Sequence, residues 1–433
     1  MRPHVIKDTS PTIAIETHGC KLNQADSGAI ADRFLRQGYR LVSDAEAADV
    51  YVVNSCTVTH IADRKARQSL RSARRRNPDA IIVAAGCYAQ RSPATLESLP
   101  EIDLVAGTAD NFDVASMVAE RMGETAEPRA AFEGPAQVIS RTRAMVKIQE
   151  GCDQVCAFCI VPRVRGRERS VPPDDIIGLI DAHVSSGYRE VVLTGTQLGT
   201  YGFDLPGIDL GGLLSRVLSE TGIARLRVSS LQPQEIKPEL LALWADPRLC
   251  PHLHIPLQSG SDAVLKRMRR RYTSARYQET VTMVRDAVPG VSITTDVIVG
   301  FPGESEADFQ DTYALCDRTG FAAMHVFPYS VRPGTSAAHF EDSLDTDAKS
   351  RRMARLLALS RRHALAFRAR FLGATRPVLW EARMAATGEE RWSGLTDNYI
   401  RVVGFSARPL ANEITPALLV AQKEDLVLAQ VLH

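Results

Sequence analysis

Six of the eight cysteines in this 433-residue chain fall into two sets of three. One set is compact, Cys152-x-x-x-Cys156-x-x-Cys159, and the other is spread along the chain as Cys20, Cys56 and Cys87. A structural zinc site is closed by four protein ligands, and iron–sulfur clusters are normally held by four thiolates. Three thiolates leave one position open for a substrate or cofactor. Two such sets therefore favour redox chemistry over a metal that only stabilises the fold.

The composition is that of an ordinary globular protein, with 45% hydrophobic and 24% charged residues, and the length allows two or three domains. Residues Met1–Thr12 contain no apolar core of a signal peptide, and no apolar run is long enough to span a membrane. We therefore expect a cytoplasmic protein without a membrane partner. Thiols stay reduced in that compartment, so clustered cysteines indicate metal binding or catalysis rather than disulfides.

Basic residues are clustered although the net charge is only +1. Local basic patches on a near-neutral chain can hold a nucleic acid. A solvated helix face is the ordinary explanation of any one patch, and four patches in one chain weaken that explanation without removing it. The patches are Arg71 with Arg74–Arg76, Arg163 to Arg169, Lys266 to Arg271, and Arg351 to Arg370.

Residues 12–122 alternate strand and helix patterns, which predicts parallel βαβ units in an open α/β sheet. Cys20, Cys56 and Cys87 each follow the end of a predicted strand by one to four residues. Ligands of open α/β sheets lie at the carboxyl ends of the strands, so we expect these three cysteines to meet at one edge. The predicted strands are Thr12–Glu16, Val50–Val53, Ala80–Ala85 and Ile102–Val105, and the helices lie near Gln24–Gln37, Ile61–Arg75 and Phe112–Arg121.

A second and longer α/β series follows a predicted linker at about Gly123–Pro135. Its six βα units suit a partial or complete barrel, in which the active site lies at the carboxyl ends of the strands. Cys152 follows the first of these strands. The predicted strands are Ala144–Gln149, Glu190–Thr194, Arg225–Ser229, His252–Leu257, Val291–Val299 and Ala323–Tyr329, and the helices are Pro173–Ser186, Gly211–Ser219, Ser274–Ala287 and Glu304–Thr319.

A basic helix, about Asp345–Phe371, precedes a tail of five short strand patterns separated by turns. An OB-like β-barrel that binds nucleic acid and a plain structural cap are both consistent with this tail. The predicted domains are 10–124, 136–368 and 371–433. The strand patterns of the tail are Pro377–Glu381, Glu390–Leu395, Tyr399–Val403, Glu413–Val420 and Leu426–Val431.

The compact cysteine motif resembles the signature of the radical SAM superfamily. A zinc knuckle needs a fourth ligand, yet the segment from Gln137 to Val171 has no other Cys or His. Phe158, before the last cysteine, also matches the aromatic residue usual in that family. The resemblance implies a 4Fe-4S cluster whose free iron chelates S-adenosylmethionine, which is then cleaved to a deoxyadenosyl radical.

Further motifs along the barrel match the superfamily's S-adenosylmethionine site. Thr194-Gly195-Thr196 takes the place of a Gly-Gly-Glu-like motif, from which it departs, and Val297–Gly303 resembles a G-x-I-x-G-x-P segment that flanks adenine. The stretch His254–Ser261 is expected to place the amide of Gln258 and two hydroxyls at the barrel mouth, with His254 as a packed core residue. The resemblance thus implies six cofactor-binding residues: Thr194, Gly195, Thr196, Gln258, Gly300 and Pro302.

Taken together, the three parts are similar to the radical SAM methylthiotransferases over about residues 12–432. The tail, including Thr396–Val402, resembles their RNA-gripping TRAM domain. The resemblance implies that Cys20, Cys56 and Cys87 hold a second 4Fe-4S cluster that carries the sulfur for the substrate. It also implies tRNA as partner, at the anticodon stem-loop, together with an electron donor and a sulfur source that remain undetermined, and a monomeric enzyme.

Members of this family modify isopentenyladenosine in tRNA, threonylcarbamoyladenosine in tRNA, or a ribosomal-protein aspartate. Gly19–Gln24, Asn54–Thr59 and Val161–Ser170 resemble the threonylcarbamoyladenosine class, with Ser55 and His18 as departures. Arginine binds both carboxylates and phosphates, so RNA contacts are expected from Arg163, Arg165, Arg167 and Arg169. The other two substrates stay open as alternatives, as does a non-catalytic, zinc-bearing RNA-binding protein. Cys250 and Cys316 are expected to be small buried hydrophobic residues.

Overall fold

The structure is a computed structural model that describes residues 10–110, 113–123, 142–341, 344–384 and 390–432. The described chain forms two compact units. The first runs to residue 123 and also takes in Ile160–Gly166, and the second contains the remainder. The predicted linker lies, apart from Gly123, outside the described residues.

The first unit is built on a parallel five-stranded sheet in the order β2-β1-β3-β4-β5. Helices cover both faces, so the central strand β3 is buried along its whole length, which explains its continuous run of apolar residues. The predicted open parallel sheet is confirmed. The edge strand β2 was not predicted, because three residues are too few to show the alternation of apolar and polar residues that marks a strand. The elements are β1 Thr12–His18, α1 Lys21–Arg36, β2 Arg40–Val42, β3 Val50–Ser55, α2 His60–Arg76, β4 Ile81–Gly86, α3 Cys87–Arg91, α4 Pro93–Glu97, β5 Leu104–Ala106, α5 Val114–Arg121 and α6 Val161–Arg165.

The second unit begins with six parallel strands that form an open, partial barrel, which confirms the predicted (β/α)6 architecture. The orders β6-β9-β10 and β11-β12-β13 are joined by bridges from Leu226 to Leu249 and from Ser230 to His254. The elements are β6 Arg143–Lys147, β7 Gln149–Glu150, β8 Arg169–Ser170, α7 Pro173–Ser185, β9 Glu190–Thr194, α8 Leu210–Glu220, β10 Arg225–Val228, α9 Pro238–Leu241, β11 His252–His254, α10 Asp262–Arg267, α11 Ser274–Ala287, β12 Ser292–Val299, α12 Glu306–Thr319, β13 Ala323–Pro328 and α13 Thr346–Ala369.

The tail forms a closed five-stranded barrel in the order β14-β15-β16-β18-β17, around a fully buried Trp380. This confirms the predicted small β-barrel, and all five strand patterns correspond to strands. The strands are β14 Thr375–Met384, β15 Arg391–Thr396, β16 Arg401–Phe405, β17 Ile414–Lys423 and β18 Leu426–Val431.

The small barrel packs against the amino-terminal end of the parallel barrel through buried charges. Arg225 and Arg227 lie on β10 and both pair with Glu190, which is completely buried. The same guanidinium groups donate hydrogen bonds to backbone carbonyls of Leu395, Thr396 and Asp397 at 2.7–3.1 Å. These contacts close the floor of the parallel barrel and leave its opposite end, where the strands terminate, for a ligand. Among the described helices, none combines the length and apolar character needed to cross a bilayer.

Candidate active site

The spread set of cysteines converges at the carboxyl edge of the first sheet, as predicted. Strand register places His18, Ser55 and Gly86 side by side on β1, β3 and β4. Each of the three is followed closely by a cysteine: His18 by Cys20, Ser55 by Cys56 and Gly86 by Cys87. The Cys56 amide donates to the His18 carbonyl at 2.7 Å. Three thiols that are distant in sequence thus lie together at the starts of α1 and α3 and in the loop after β3.

Two buried asparagines hold this edge in shape. Asn23 on α1 donates to the Asn54 side chain at 3.1 Å, and Asn54 donates to the Asn23 carbonyl at 2.9 Å. The Asn23 amide oxygen also accepts from the Cys20 thiol at 3.3 Å. A side chain at Gly19 would come within 2.8 Å of Cβ of Cys56, so glycine is required there by close approach. The two asparagines therefore position the loops that hold the thiols, a role that was not predicted from the sequence.

The electrostatics of this set fit a positively charged cluster. Burial and the neighbouring Cys20 and Cys87 thiolates raise the pKa of Cys56 to about 12. Burial raises the pKa of Cys87 to about 11 despite the opposing charge of Arg165. Three converging sulfurs cannot all ionise here without added cationic charge, and bound iron supplies such charge while deprotonating its thiol ligands. The residues present therefore fit an iron–sulfur cluster.

Arg165 is a cation that acts on Cys56 and Cys87 of this set. Its guanidinium lies 2.9 Å from the Asp26 carboxylate, with the two side chains only 3% and 1% exposed, and it also hydrogen-bonds Cys87. Sequence analysis grouped Arg165 with three arginines for RNA. The structure instead places it in the interior against a thiol, because Asp26 compensates its charge. Arg163, Arg167 and Arg169 are exposed, and RNA contacts by them stay a prediction.

The compact set lies in the loop after β7, at the carboxyl end of the first barrel strands. The loop is fixed by backbone bonds from the Ala157 amide to Met268 at 3.0 Å and from Ala337 to the Ala157 carbonyl at 2.8 Å. Burial raises the pKa of Cys152 to about 11, which again calls for a compensating cation. Arg270 supplies part of that charge, since its guanidinium donates to Sγ of Cys156 at 3.2 Å.

A chain of polar side chains joins two thiols of this loop. Cys152 lies 3.9 Å from the amide oxygen of Gln197, which accepts from Gln232 at 2.8 Å. Gln232 accepts from Arg270, and Arg270 reaches Cys156. None of these three residues was predicted as a partner of the thiols. Gln197 and Gln232 follow the ends of β9 and β10, so the rule that found the cysteines could have found them, whereas nothing local marks Arg270.

The predicted cofactor residues Thr194, Gly195 and Thr196 lie where β9 ends beside β6. The amides of Thr196 and Gln197 donate to the side-chain oxygen of Gln149 at 2.9 and 2.8 Å. The hydroxyl of Thr196 is buried and has no hydrogen-bond partner among the described residues. Because an unsatisfied buried hydroxyl is costly, it fits a site that a polar cofactor group completes.

Gln258, Gly300 and Pro302 lie where β11 and β12 end. Gln258 has a positive φ of 66°. Its backbone N–H donates to the Asp296 backbone carbonyl on β12 at 2.8 Å. Gly300 also has a positive φ, 71°, and a side chain there would come within 2.6 Å of the Lys349 side chain, so glycine is favoured at this turn. Pro302 is buried.

The other predictions for the segment His254–Ser261 are wrong. The Ser259 and Ser261 hydroxyls do not face the barrel mouth, because they bond to Thr312 at 3.1 Å and to Asp308 at 2.5 Å on α12. His254 is buried but bonded to polar side chains rather than packed in apolar surroundings. Cys250 and Cys316 are buried, as predicted.

Two family models match the chain. Residues 146–316 match the "Radical SAM superfamily", and residues 12–107 match "Uncharacterized protein family UPF0004". The UPF0004 match contains Cys20, Cys56 and Cys87, and the radical SAM match contains the compact set. The fold and site therefore define a radical SAM enzyme with an additional three-thiol sheet domain.

Relatives with known names cover nearly the whole chain. "Threonylcarbamoyladenosine tRNA methylthiotransferase MtaB" of Bacillus subtilis (strain 168) is 40% identical over 90% of both chains. The protein of the same name from Aquifex aeolicus is 39% identical, over 90% of this chain and 96% of its own. "tRNA-2-methylthio-N(6)-dimethylallyladenosine synthase" of Geobacter metallireducens is 37% identical, over 91% of this chain and 92% of its own. The chain belongs to the radical SAM methylthiotransferase family.

Solved structures show the same fold at low identity. The radical S-adenosylmethionine methyltransferase TsrM from Kitasatospora setae, with cobalamin and a [4Fe-4S] cluster bound, aligns with a TM-score of 0.53 at 14% identity, over 76% of this chain and 77% of that chain. Membership of the superfamily brings S-adenosylmethionine and 4Fe-4S clusters as cofactors, which confirms the predicted cofactors at the level of the family.

Proposed function

We propose that this enzyme methylthiolates the adenine ring of threonylcarbamoyladenosine next to the anticodon of tRNA. The observation that carries the proposal is the pair of three-thiol sets, each at the carboxyl end of its own parallel sheet. The substrate is supported by the names of the relatives that are 39–40% identical, all of which act on threonylcarbamoyladenosine in tRNA. Reduced thiols and a tRNA substrate both support a cytoplasmic location.

Each thiol set has its own task in this proposal. Cys152, Cys156 and Cys159 would hold one 4Fe-4S cluster and Cys20, Cys56 and Cys87 the other. When bound, these clusters with S-adenosylmethionine supply the radical that removes hydrogen from the base and the sulfur that replaces it. The Gln149 side chain, which accepts from the amides of Thr196 and Gln197, orients the turn of Thr194–Thr196 toward the cofactor, and Arg270 keeps positive charge beside Cys156.

Binding of RNA is assigned to exposed charge and to the tail barrel. Arg167 and Arg169 are exposed beside the cysteine loop, where they pair with Asp153 and Glu150, and Arg163 is exposed on α6. A small β-barrel commonly supports stacking and phosphate contacts with RNA. A monomer with domains at 10–124, 136–368 and 371–433 is part of the proposal.

A second candidate is the same chemistry on isopentenyladenosine. It is favoured by relatives at 37% identity that are named for dimethylallyladenosine in tRNA. The two candidates differ only in the substituent on N6 of the base, so the products distinguish them directly.

Nucleosides from tRNA of cells with and without the gene test the proposal. Deletion is expected to abolish the methylthio derivative of threonylcarbamoyladenosine and leave the unmodified nucleoside to accumulate. An unchanged threonylcarbamoyladenosine pool with loss of the methylthio derivative of isopentenyladenosine would support the second candidate instead.

Anaerobic metal analysis tests the two thiol sets separately. The wild-type protein is expected to bind roughly eight irons and as many sulfides per chain, two cubanes of four each. Joint substitution of Cys20, Cys56 and Cys87 by Ala should leave about four irons and uncoupled cleavage of S-adenosylmethionine, without methylthio product. Cys250→Ala and Cys316→Ala are matched controls that should keep the full iron content. Zinc without sulfide in the wild-type protein would contradict the proposal.

A further inference from the structure

Strands β11–β13 present a polar face to the lumen of the partial barrel. Along β12, Ile293, Val297 and Val299 belong to the apolar core beneath the helices. Thr294 and Asp296 alternate with them and therefore face the lumen. Strand register brings His254 beside Thr294 and His325 beside Asp296, so two imidazoles flank one carboxylate.

Four side chains, those of His254, Thr294, Asp296 and His325, form one hydrogen-bonded cluster. The Asp296 carboxylate lies 3.2 Å from Nε2 of His254 and 3.1 Å from Nδ1 of His325. The rings of His254 and His325 stack at a centroid distance of 5.7 Å. Nδ1 of His254 lies 2.9 Å from the Thr294 hydroxyl.

One set of neutral tautomers satisfies every bond in this cluster. The Thr294 hydroxyl donates to Nδ1 of His254, whose Nε2–H donates to Asp296, and Nδ1–H of His325 donates to the other carboxylate oxygen. A carboxylate that accepts from a ring nitrogen in this way fixes the tautomer of the histidine. Nε2 of His325 is then a lone-pair acceptor.

That acceptor is accessible. The His325 side chain is 57% exposed, and no described residue bonds to its Nε2. Phe327, two residues further on the same face of β13, is 41% exposed, which is unusual for a large apolar side chain inside a barrel. An oriented acceptor next to an exposed aromatic ring is an arrangement that suits a heteroaromatic base with a hydrogen-bond donor beside it.

We propose that His325, held by Asp296, is a specificity residue that accepts a hydrogen bond from the threonylcarbamoyl group of the substrate, while Phe327 packs against the adjoining base. This inference rests on the proposed function. The threonylcarbamoyl group offers N–H and O–H donors, whereas a dimethylallyl group is a hydrocarbon that offers none. Beside the dimethylallyl group, Nε2 of His325 would be left without a donor, which favours the threonylcarbamoyl group.

A divalent cation is the other occupant that these residues could take, since their ligand atoms all lie within 4.8 Å of one another. Metal content is therefore measured as one outcome of the test below. The atoms that would bind a metal, Nε2 of His254 and Nδ1 of His325, are those already paired with Asp296.

Binding of short RNAs without reductant tests the proposal separately from turnover. Anticodon stem-loops that carry either threonylcarbamoyladenosine or plain adenosine are titrated into the reconstituted holoenzyme, and their Kd values are compared by fluorescence anisotropy. His325→Phe should reduce the preference for the modified RNA about fivefold to tenfold, in keeping with the loss of one hydrogen bond. His325→Gln, which retains an acceptor, should restore much of it. Binding of the unmodified RNA should change little.

The matched control is a second His–Asp pair that lies outside the lumen, His363 with Asp317 at 3.0 Å. His363→Phe should leave the preference unchanged. If His325→Phe keeps both the wild-type iron content and the wild-type preference for the modified RNA, the role proposed for His325 is wrong. The proposed function still stands in that case, provided that the wild-type enzyme forms the methylthio product. Absence of that product in the wild type would instead overturn the proposed function. A stoichiometric non-iron metal that is lost on His325→Phe would replace the inference with a metal site.

Discussion

At the scale of single residues, each cysteine set has one arginine in contact with a thiol, the buried Arg165 in the first set and the half-buried Arg270 in the second. Arg165 bonds Cys87 and is neutralised by Asp26, whereas Arg270 bonds Cys156 at 3.2 Å, Gln232 and the Tyr272 hydroxyl, with no carboxylate among these partners. A positive charge beside a cluster ligand stabilises added electrons and raises the reduction potential. The charge of Arg270 should therefore act on its cluster at fuller strength than that of Arg165.

Arg270→Met is expected to lower the midpoint potential of the Cys152/Cys156/Cys159 cluster by on the order of 50–100 mV, because the positive charge that Arg270 holds beside Cys156 is removed. Redox titration followed by electron paramagnetic resonance measures the shift. Arg271→Met, an exposed neighbour, is the control and should leave the potential unchanged. An unshifted potential in Arg270→Met protein with full iron content would show that the guanidinium only positions Gln232.

At the scale of elements, strand ends and the turns after them build the site. The turn after β9 passes so close to β7 that a side chain at Gly195 would come within 2.8 Å of the Gln149 carbonyl oxygen. Backbone cannot yield as a flexible side chain does, so this glycine is required by packing. The same Gln149 side chain fixes the amides of Thr196 and Gln197.

Gly195→Ala is expected to displace Gln149 and to weaken binding of S-adenosylmethionine about tenfold, the equivalent of one well-formed hydrogen bond. Isothermal titration calorimetry on reconstituted protein measures the affinity. Gly178→Ala in α7 is the control, since no atom lies within 4 Å of the added methyl group, and it should keep the affinity and stabilise the helix. Equal affinities of the two variants would exclude the turn after β9 from the cofactor site.

At the scale of the whole molecule, the second unit depends on buried charge where its two barrels meet. Glu190 is completely buried between Arg225 and Arg227, whose guanidinium groups also bond the carbonyls that end β15. Burial opposes ionisation of Glu190, but the two arginines prevail and lower its pKa below the ordinary value. Tyr399 completes the contact by stacking on His252 at 4.2 Å.

Glu190→Ala leaves two buried cations without a counter-charge and is expected to lower the free energy of unfolding by about 3–5 kcal/mol. Urea denaturation of the full chain measures the loss. Because the folded pKa is depressed, the contribution of Glu190 is present above about pH 4.3 and is lost as the pH falls toward the folded pKa. The gap between wild type and variant should therefore shrink in acid. Glu220→Ala, which breaks the exposed pair with Arg216, is the control and should change little.

The elements that the sequence predicted well are those with a local signal. Val50–Val53 is a continuous apolar run and lies in strand Val50–Ser55, and Ser274–Ala287 carries the helical period between a capping Thr273 and a turn, so both lie where they were predicted. His252–Leu257 was predicted as one strand but ends at His254, because its last residues leave the ladder for the Gln258 turn. The domain bounds and the site residues stay predictions that the proposed experiments test.

The sequence by itself determined where the two cysteine sets lie, because short spacing brings one set together and sheet geometry brings together the other, which follows three strands of a parallel sheet. Their iron–sulfur chemistry was implied by the family resemblance. The tertiary structure alone decided which polar groups surround them. Arg165 and Arg270 beside the thiols, Gln149 behind the cofactor turn, and His325 on Asp296 are ordinary polar residues in the sequence. They gain their roles only where the fold brings them together and fixes their hydrogen-bond partners.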